Sequence, residues 1–359
     1  MDNKADFKWK QERNKIYLRY KDFNIHFEVP KDFKLEKIHP TLLRLVEYLT
    51  FGPFKKDLFN KNTILKWPKR EFIPNGKLAL AWSTGCDSTA AMLLLPKETI
   101  LFYHQRDEYL GGQLNQENAL SFIKELKKER KNIYVMKSNH EKVRKYFNLR
   151  AGFSTDFSSV TGLVLLADYF GLGSIATGTI LGSTFIEKGH KYRNFNQFWD
   201  RWNMIFNQAG LEIIFPIGGV SEVLTNKIVN ESKYNKLCHS CLRGRNGKDC
   251  ENCYKCFRKH LLNGEKTNIT DEVVKNIEGD HIHQADALIY GYQRSKYFIP
   301  FLEKFKYLDL SFLERYYDYA LEKLVSERFR MDIIKNLNKF GIKPMTDEDI
   351  IKLKNIDIK

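Results

Sequence analysis

The segment 83–89, which reads STGCDST, separates two apolar runs and is rich in residue types that bind anions. The run before it predicts a buried strand, and the run after it predicts a helix. A strand that enters a helix through a short loop points several backbone N–H groups one way, and the helix dipole adds positive charge there. Gly85 lets a phosphate approach the backbone, and the serine and threonine hydroxyls add donors. The segment therefore predicts a phosphate site.

Other interpretations of this loop are limited by its composition. It lacks the Gly-Lys-Ser/Thr of a Walker P-loop and the GxGxxG of a dinucleotide site. The alternative to a phosphate site is a loop that only starts a helix after a buried strand. Asp87 is an anion and cannot bind phosphate. We expect it to cap the helix or to hold a magnesium ion.

Five of the six cysteines lie in one short segment, 238–256. In the cytoplasm, which we expect for this chain, such clustering indicates metal ligands before disulfides. The series Cys241-x8-Cys250-x2-Cys253-x2-Cys256 offers four thiolates for a tetrahedral zinc ion. A set in which Cys238 replaces Cys250 stays open, and His239 is a weaker candidate ligand.

The loop resembles the S-G-G-x-D-S/T loop of the PP-loop ATP pyrophosphatases, which split ATP into AMP and pyrophosphate. Thr84 takes the place of the first glycine of that pattern. The resemblance implies Mg²⁺-dependent ATP binding, with catalytic roles for Ser83, Asp87 and Ser88. It implies nucleotide contacts from the residues Ser83, Thr84, Gly85, Cys86, Asp87, Ser88, Thr89, Phe102, Tyr103 and Gly178, in which Phe102 and Tyr103 would offer backbone to the adenine.

The loop and the later cysteine series, followed by Arg258 and Lys259, together resemble the 7-cyano-7-deazaguanine synthase (QueC) family over residues 76–262. This resemblance implies a structural zinc ion on Cys241, Cys250, Cys253 and Cys256. It also implies adenylation of 7-carboxy-7-deazaguanine, followed by addition of ammonia and conversion of the amide to a nitrile.

Two segments depart from the family pattern. The segment 152–157, GFSTDF, lacks the expected Pro-Gly-Arg-Asn, and the segment 178–189 lacks the expected Asn and Asp. The added N- and C-terminal parts resemble those of QueC-like proteins in bacterial antiphage operons, such as type IV CBASS and Qat systems. That resemblance implies transfer of the deazaguanine acyl group to the N-terminal amine of a partner protein.

The order of periodic segments predicts an α/β fold, with a parallel sheet covered by helices on both faces as in PP-loop proteins. Expected strands lie at 15–30, 78–82, 99–104, 132–139, 174–179 and 212–217, and expected helices at 39–52, 113–131, 157–170, 196–208, 272–277, 284–305 and 309–329. We predict an N-terminal α+β module (1–75), an ATP-binding domain (76–236), a zinc segment (237–262) and a helical extension (263–359).

The segment 190–212 carries aromatic residues at helical spacing, namely Phe195, Phe198, Trp199, Trp202 and Phe206. Core packing is the main interpretation, and stacking on a flat base is the alternative. Arg193, Asn194 and Arg201 could reach an anion or lie at a solvated surface.

The chain carries 59 Lys and Arg against 44 Asp and Glu, a net charge of +15 in 359 residues. This indicates an anionic partner or simply a lysine-rich composition. Without a signal sequence or an apolar run near membrane length, we expect a cytoplasmic protein with no membrane partner. A homodimer stays open. A nitrile-forming synthase and a zinc-containing nucleic-acid-binding protein are the alternative functions, and nucleic acid is the less favoured partner because it leaves the STGCDST loop unexplained.

Overall fold

A computed structural model describes residues 7–107, 114–279 and 282–358. Its strands are β1 (Phe7–Glu12), β2 (Lys15–Tyr20), β3 (Phe23–Glu28), β4 (Lys77–Ala81), β5 (Ile100–Arg106), β6 (Ile133–Ser138), β7 (Leu172–Thr177), β8 (Ile186–Glu187), β9 (Lys191–Tyr192) and β10 (Glu212–Ile214). Its α-helices are α1 (Pro40–Phe51), α2 (Lys61–Ile64), α3 (Cys86–Leu94), α4 (Glu117–Leu126), α5 (Val143–Tyr146), α6 (Thr161–Leu165), α7 (Ala167–Phe170), α8 (Leu181–Thr184), α9 (Asn196–Gln208), α10 (Glu222–Asn230), α11 (Tyr254–Leu262), α12 (Asp271–Ile277), α13 (Ala285–Gln293), α14 (Asp318–Leu324), α15 (Glu327–Lys339) and α16 (Asp347–Lys354).

Eight strands form one sheet in the order β1-β2-β3-β6-β5-β4-β7-β10, and β8 pairs with β9 in a separate ribbon. The strands β6, β5, β4, β7 and β10 run parallel to one another. The strands β1, β2 and β3 continue the sheet with antiparallel pairing. The predicted α/β fold with a largely parallel sheet is confirmed. The sequence did not predict β1, nor that the N-terminal strands would extend this sheet.

Helices cover both faces of the parallel strands, because alternate residues of each strand face opposite sides. Ala79 of β4 and Ile175 of β7 belong to the core that contains α6 and α9. Leu80 of β4 and Ala176 of β7 belong to the core that contains α3 and α10. The neighbouring strands β4 and β7 therefore lie deep in the protein, and the loops that follow them meet at one edge of the sheet.

Several predicted helices are shorter than the sequence pattern. The segment 157–170 divides into a 3-10 turn, α6 and α7, and the segment 284–305 divides before Pro300, which cannot continue a helix. The segment 113–131 yields only α4, and its first residue, Gln113, lies outside the described residues. The segment 309–329 likewise divides into a 3-10 turn, α14 and the start of α15.

The aromatic segment 190–212 packs in the core, as its main interpretation predicted. Phe195, Trp199, Trp202 and Phe206 are all buried there, whereas the side chain of Phe198 lies outside the part of the chain that is described. Arg193 donates to the Thr184 carbonyl and thereby serves the local fold.

The C-terminal helices bond directly to the sheet. Arg328 of α15 donates to the Gly76 carbonyl and to Ser174 Oγ of β7. The Ile358 N–H donates to the His190 carbonyl beside the β8–β9 ribbon. No helix in the described part is both long and apolar enough to span a membrane.

The N-terminal strands join the parallel strands through few contacts. One residue pair, Phe27 and Ser138, links β3 to β6. Next to it, Asn139 Oδ1 accepts from the His26 N–H at 2.7 Å, and the Asn139 N–H donates to the His26 carbonyl at 3.3 Å. Asn139 therefore completes the junction with its side chain.

We predict that Asn139→Ala lowers the free energy of unfolding by about 1–3 kcal/mol, because the partly buried His26 N–H loses its acceptor. Denaturant unfolding measures this change, and hydrogen exchange should accelerate at His26. The exposed Asn24→Ala on β3 is the matched control. Equal effects of the two variants would contradict this role for Asn139.

Candidate functional site

The loops after β4 and β7 meet at the point where the strand order reverses. From β4 the chain continues to β5 and β6 on one side, and it then returns to β7 on the other side. In open α/β sheets, ligands bind outside the carboxyl ends of the strands at such a point. Gly178 follows β7, and a Cβ there would lie 2.9 Å from Ser88 Cα. The structure therefore brings Gly178 against the first turn of α3, beside the 83–89 loop.

Ser88 holds the loop in shape. Its Oγ accepts from the Ser83 N–H at 3.1 Å, lies 3.0 Å from Ser83 Oγ, and donates to the Gly85 carbonyl at 3.1 Å. Thr84 has a φ of 64°, in the left-handed region where glycine is favoured and a β-branched residue is strained.

Several backbone N–H groups of this loop have no protein acceptor within the described residues. The Ser83 N–H is bonded to Ser88, and the Cys86 N–H donates to Ser240 Oγ at 3.0 Å. The unpaired N–H groups are those of Thr84, Gly85, Asp87 and Ser88. They lie at the positive end of α3, so this loop offers an anion a set of donors.

A cavity of about 190 Å³ lies between this loop and the end of β5. Phe102 lines this cavity, but the whole residue is only 1% exposed and its ring packs in the core. The Tyr103 hydroxyl donates to Gln116 Oε1 at 3.1 Å. Both predicted residues thus line the cavity, and their rings are already engaged.

The far wall of the cavity carries His104 and Arg106, which sequence analysis missed. Arg106 forms a bidentate ion pair with the buried Glu141. Burial lowers the pKa of His104 to about 3, and it lowers the pKa of the neighbouring His140 to about 3. Both imidazoles are therefore neutral at pH 7. No sequence motif marked these residues, because their proximity depends on the pairing of β5 with β6.

Asp87 does not cap α3, which corrects one of the two roles predicted for it. Gly85 occupies the cap position, and Asp87 lies inside the first turn. Its Oδ1 accepts from Thr225 Oγ1 at 2.7 Å and lies 3.4 Å from Lys259 Nζ. The role of Asp87 as a magnesium ligand stays a prediction.

Lys259 also belongs to a buried group of charges with Glu222 and Arg258. Glu222 Oε1 lies 2.8 Å from Lys259 Nζ, and its Oε2 lies 2.9 Å from Arg258 Nε. Burial by itself would raise the pKa of Glu222, but the two cations outweigh it and hold this pKa well below its usual range. Burial would lower the pKa of Lys259, and Asp87 and Glu222 raise it instead. Glu222, Arg258 and Lys259 are therefore charged at neutral pH.

The cysteine segment brings together the four predicted sulfur atoms. Sγ atoms of Cys241, Cys250, Cys253 and Cys256 lie within 4.8 Å of one another, and the Cys250–Cys256 distance is 3.7 Å. Tetrahedral zinc with Zn–S bonds of about 2.3 Å requires sulfur separations of ~3.8 Å. The four thiols thus fit a metal ion such as zinc.

The alternative set with Cys238 is not assembled. The Cys238 thiol donates to the Thr84 carbonyl at 3.4 Å and so contacts the 83–89 loop. His239 Nδ1 lies 3.1 Å from Asp249 Oδ1 and does not join the four sulfur atoms. Together with Ser240, Cys238 docks the cysteine segment on the loop. Sequence analysis left Cys238 unassigned and missed Ser240, which carries no motif signal.

A buried carboxyl lies behind the turn that joins β8 to β9. Asp286 of α13 is 1% exposed, and its Oδ1 has no hydrogen-bond partner in the part of the chain described. It packs against Gly189, where a side chain would collide with it. Burial raises the pKa of Asp286 to about 6. The β8–β9 turn is thus covered by this carboxyl group.

Residues 201–357 match the model of a family of unknown function, DUF6395. The match includes the cysteine segment, Glu222 and Lys259, and it excludes the 83–89 loop. Comparisons with curated proteins and with solved structures returned no match.

We predict that Cys241→Ser lowers the bound zinc to well below one ion per chain, because three thiolates hold the metal weakly. Cys238→Ser should retain the metal. Elemental analysis of the two purified proteins measures the zinc content. Equal zinc loss in both variants would contradict the assigned ligand set.

The raised pKa of Asp286 predicts a pH dependence of stability. The protonated carboxyl stabilises the fold below the ordinary aspartate pKa, and this contribution is lost as the pH rises through about 6. Asp286→Asn has no carboxyl group to ionise and does not lose this stability. The difference in free energy of unfolding between the variant and wild type should therefore shift by roughly 1 kcal/mol in favour of the variant from about pH 5 to pH 8.

Urea unfolding across this pH range measures the difference. The exposed Asp332→Asn on α15 is the control, and its difference from wild type should stay constant with pH. A constant difference for Asp286→Asn as well would refute the assignment.

Proposed function

We propose that this chain is a QueC-like, PP-loop-type enzyme that uses ATP to adenylate 7-carboxy-7-deazaguanine. It then transfers the acyl group to an amine, the N-terminus of a partner protein in a bacterial antiphage system. The reaction takes place in the cytoplasm and requires Mg²⁺, and the four cysteines bind a structural zinc ion.

The observation that carries this proposal is the set of four unpaired N–H groups in the 83–89 loop. They lie beside a cavity and at the strand-order reversal, where nucleotides bind in open α/β sheets. A triphosphate fits these donors, and an adenine can lie against the backbone of Phe102 and Tyr103. The substrate itself is inferred from the resemblance of the loop and the cysteine series to the QueC family.

The chemistry has two steps. A carboxylate oxygen of the deazaguanine attacks the α-phosphorus of ATP, and the bond from that phosphorus to the β-bridging oxygen breaks. Pyrophosphate leaves with the bonding electrons, and the loop N–H groups stabilise its charge. The amine nitrogen then attacks the acyl carbon, AMP departs, and the amine loses a proton as the amide forms.

Each functional residue has a distinct role in this proposal. Ser88 maintains the loop that surrounds the phosphates, and Ser83 offers its hydroxyl group to them. Asp87 holds Mg²⁺, while Lys259 and Thr225 orient its carboxylate. The zinc ion would stabilise the start of α11, the helix that carries Lys259, and it takes no part in the bond changes.

The nucleic-acid alternative is less well supported. The cysteine segment packs on the 83–89 loop through Cys238 and Ser240. Binding of nucleic acid by the exposed part of this segment would leave the unpaired N–H groups of the loop without a role. The nitrile-forming alternative differs in product and is distinguished by experiment.

The test is incubation of the protein with ATP, Mg²⁺, 7-carboxy-7-deazaguanine and a short peptide with a free N-terminus. We expect AMP and pyrophosphate by chromatography and a peptide adduct by mass spectrometry. Asp87→Ala should lower AMP formation by about a hundredfold or more, since loss of metal positioning removes charge stabilisation in the transition state.

Thr84→Gly is the matched control in the same loop. It relieves the left-handed strain at residue 84 and should preserve AMP formation. Full activity of Asp87→Ala would refute its role. A nitrile without a peptide adduct would favour the synthase, and absence of AMP would overturn the proposed function.

A further inference from the structure

A groove of about 1080 Å³ opens on the surface next to the cavity of the 83–89 loop. Phe153 lines both the groove and the cavity. Its carbonyl accepts from Arg144 Nη1 at 3.1 Å, and its ring centroid lies 5.1 Å from the Arg106 guanidinium carbon. The ring therefore separates the groove from the cavity. A molecule bound in the groove has one end next to the cavity.

The groove is positively charged. Lys56, Arg144 and Arg201 line it, and Asp156 is its one carboxylate among the described lining residues. None of the three cations has an ion-pair partner in the part of the chain that the structure describes. Arg144 and Arg201 instead donate to neutral oxygens, those of Phe153 and of the Tyr48 hydroxyl. Such unpaired cations complement an acidic ligand.

The aromatic residues of the groove indicate whether its acidic ligand is a polypeptide or a single-stranded nucleic acid. Tyr48, Phe59 and Trp202 are each at most 7% exposed. Their rings pack on one another, with centroids 5.5 Å apart for Tyr48 and Phe59 and 5.7 Å apart for Tyr48 and Trp202. The fourth ring, Phe153, is half-buried, stacks on His140 with centroids 6.0 Å apart and contacts the Arg106 guanidinium. Single-stranded nucleic acid binds by stacking bases on exposed rings, and none of these four rings is fully exposed. An acidic polypeptide needs only the cations and the groove.

We propose that this groove binds an extended, acidic polypeptide segment and directs its end toward the cavity. The site stands on its own as a binding groove, and its link to acyl transfer rests on the proposed function. A polypeptide acceptor would then be selected by Lys56, Arg144 and Arg201 at a distance from the reacting atoms.

The test is fluorescence anisotropy with a labelled 12-residue peptide of alternating glutamate and glycine. Lys56→Glu/Arg201→Glu should weaken binding by roughly tenfold or more, since each charge reversal replaces attraction by repulsion. Lys335→Glu/Lys339→Glu on α15 has the same net charge change on the opposite face of the sheet, and it should leave the affinity within about twofold of wild type.

Lys56→Glu alone keeps the test valid if the double variant misfolds, because Lys56 makes no hydrogen bond or ion pair within the described residues. It should weaken binding in the same direction with an unchanged Tm. Equal losses in groove and control variants would overturn the proposal, as would no binding to wild type at low salt. Tighter binding of a 12-nucleotide oligo(dT) than of the peptide would also overturn it.

AMP formation without peptide separates this proposal from the proposed function. The groove variant should form AMP from ATP and 7-carboxy-7-deazaguanine at the wild-type rate. If neither protein forms AMP but the groove variant still loses peptide affinity, the enzyme proposal fails and the groove stands. If both form AMP and peptide affinity is unchanged, only the groove proposal fails.

Discussion

Lys259 lies between two carboxylates, Asp87 of α3 and Glu222 of α10, and its neighbour Arg258 pairs with Glu222 as well. Arg258, Lys259 and Glu222 are each at most 7% exposed. A buried charge that loses its partner costs several kcal/mol, so small shifts among these three helices are strongly disfavoured. Because α3 begins at the 83–89 loop, this group of charges also sets the direction of the loop N–H groups.

The cysteine segment acts on the same helix. Cys253 and Cys256 lie at the start of α11, and Lys259 follows Cys256 by three residues on the same side of the helix. A metal on the four thiolates would therefore hold the end of α11 from which Lys259 reaches Asp87. The segment contacts the loop a second time through Ser240, whose Oγ accepts from the Cys86 N–H. Metal binding and loop geometry are thus physically connected through one short helix and one hydroxyl group.

The rim of the site is assembled from distant parts of the chain. The groove beside Phe153 uses Lys56 from the N-terminal part, Arg144 from α5 and Arg201 from α9. The β8–β9 turn is covered by α13, where Asp286 fills the space that Gly189 leaves free. The terminal parts of the chain therefore shape the surroundings of the loop, in addition to extending the sheet by β1, β2 and β3.

Features that depend on local spacing could be determined from the sequence by itself. The strand–loop–helix around Gly85, the parallel strands with helices on both faces, and the four cysteines follow from periodicity and short-range spacing, since each involves neighbours in the chain.

The cap role predicted for Asp87 was wrong, because α3 begins at Cys86 and the partners of Asp87, Thr225 and Lys259, are more than a hundred residues away. The attachment of β3 to β6, the docking of Ser240 and Cys238, and the inward ring of Phe102 likewise depend on long-range pairing. Only the tertiary structure decided these, since burial makes charges and hydrogen-bonding groups find partners wherever the fold brings them together.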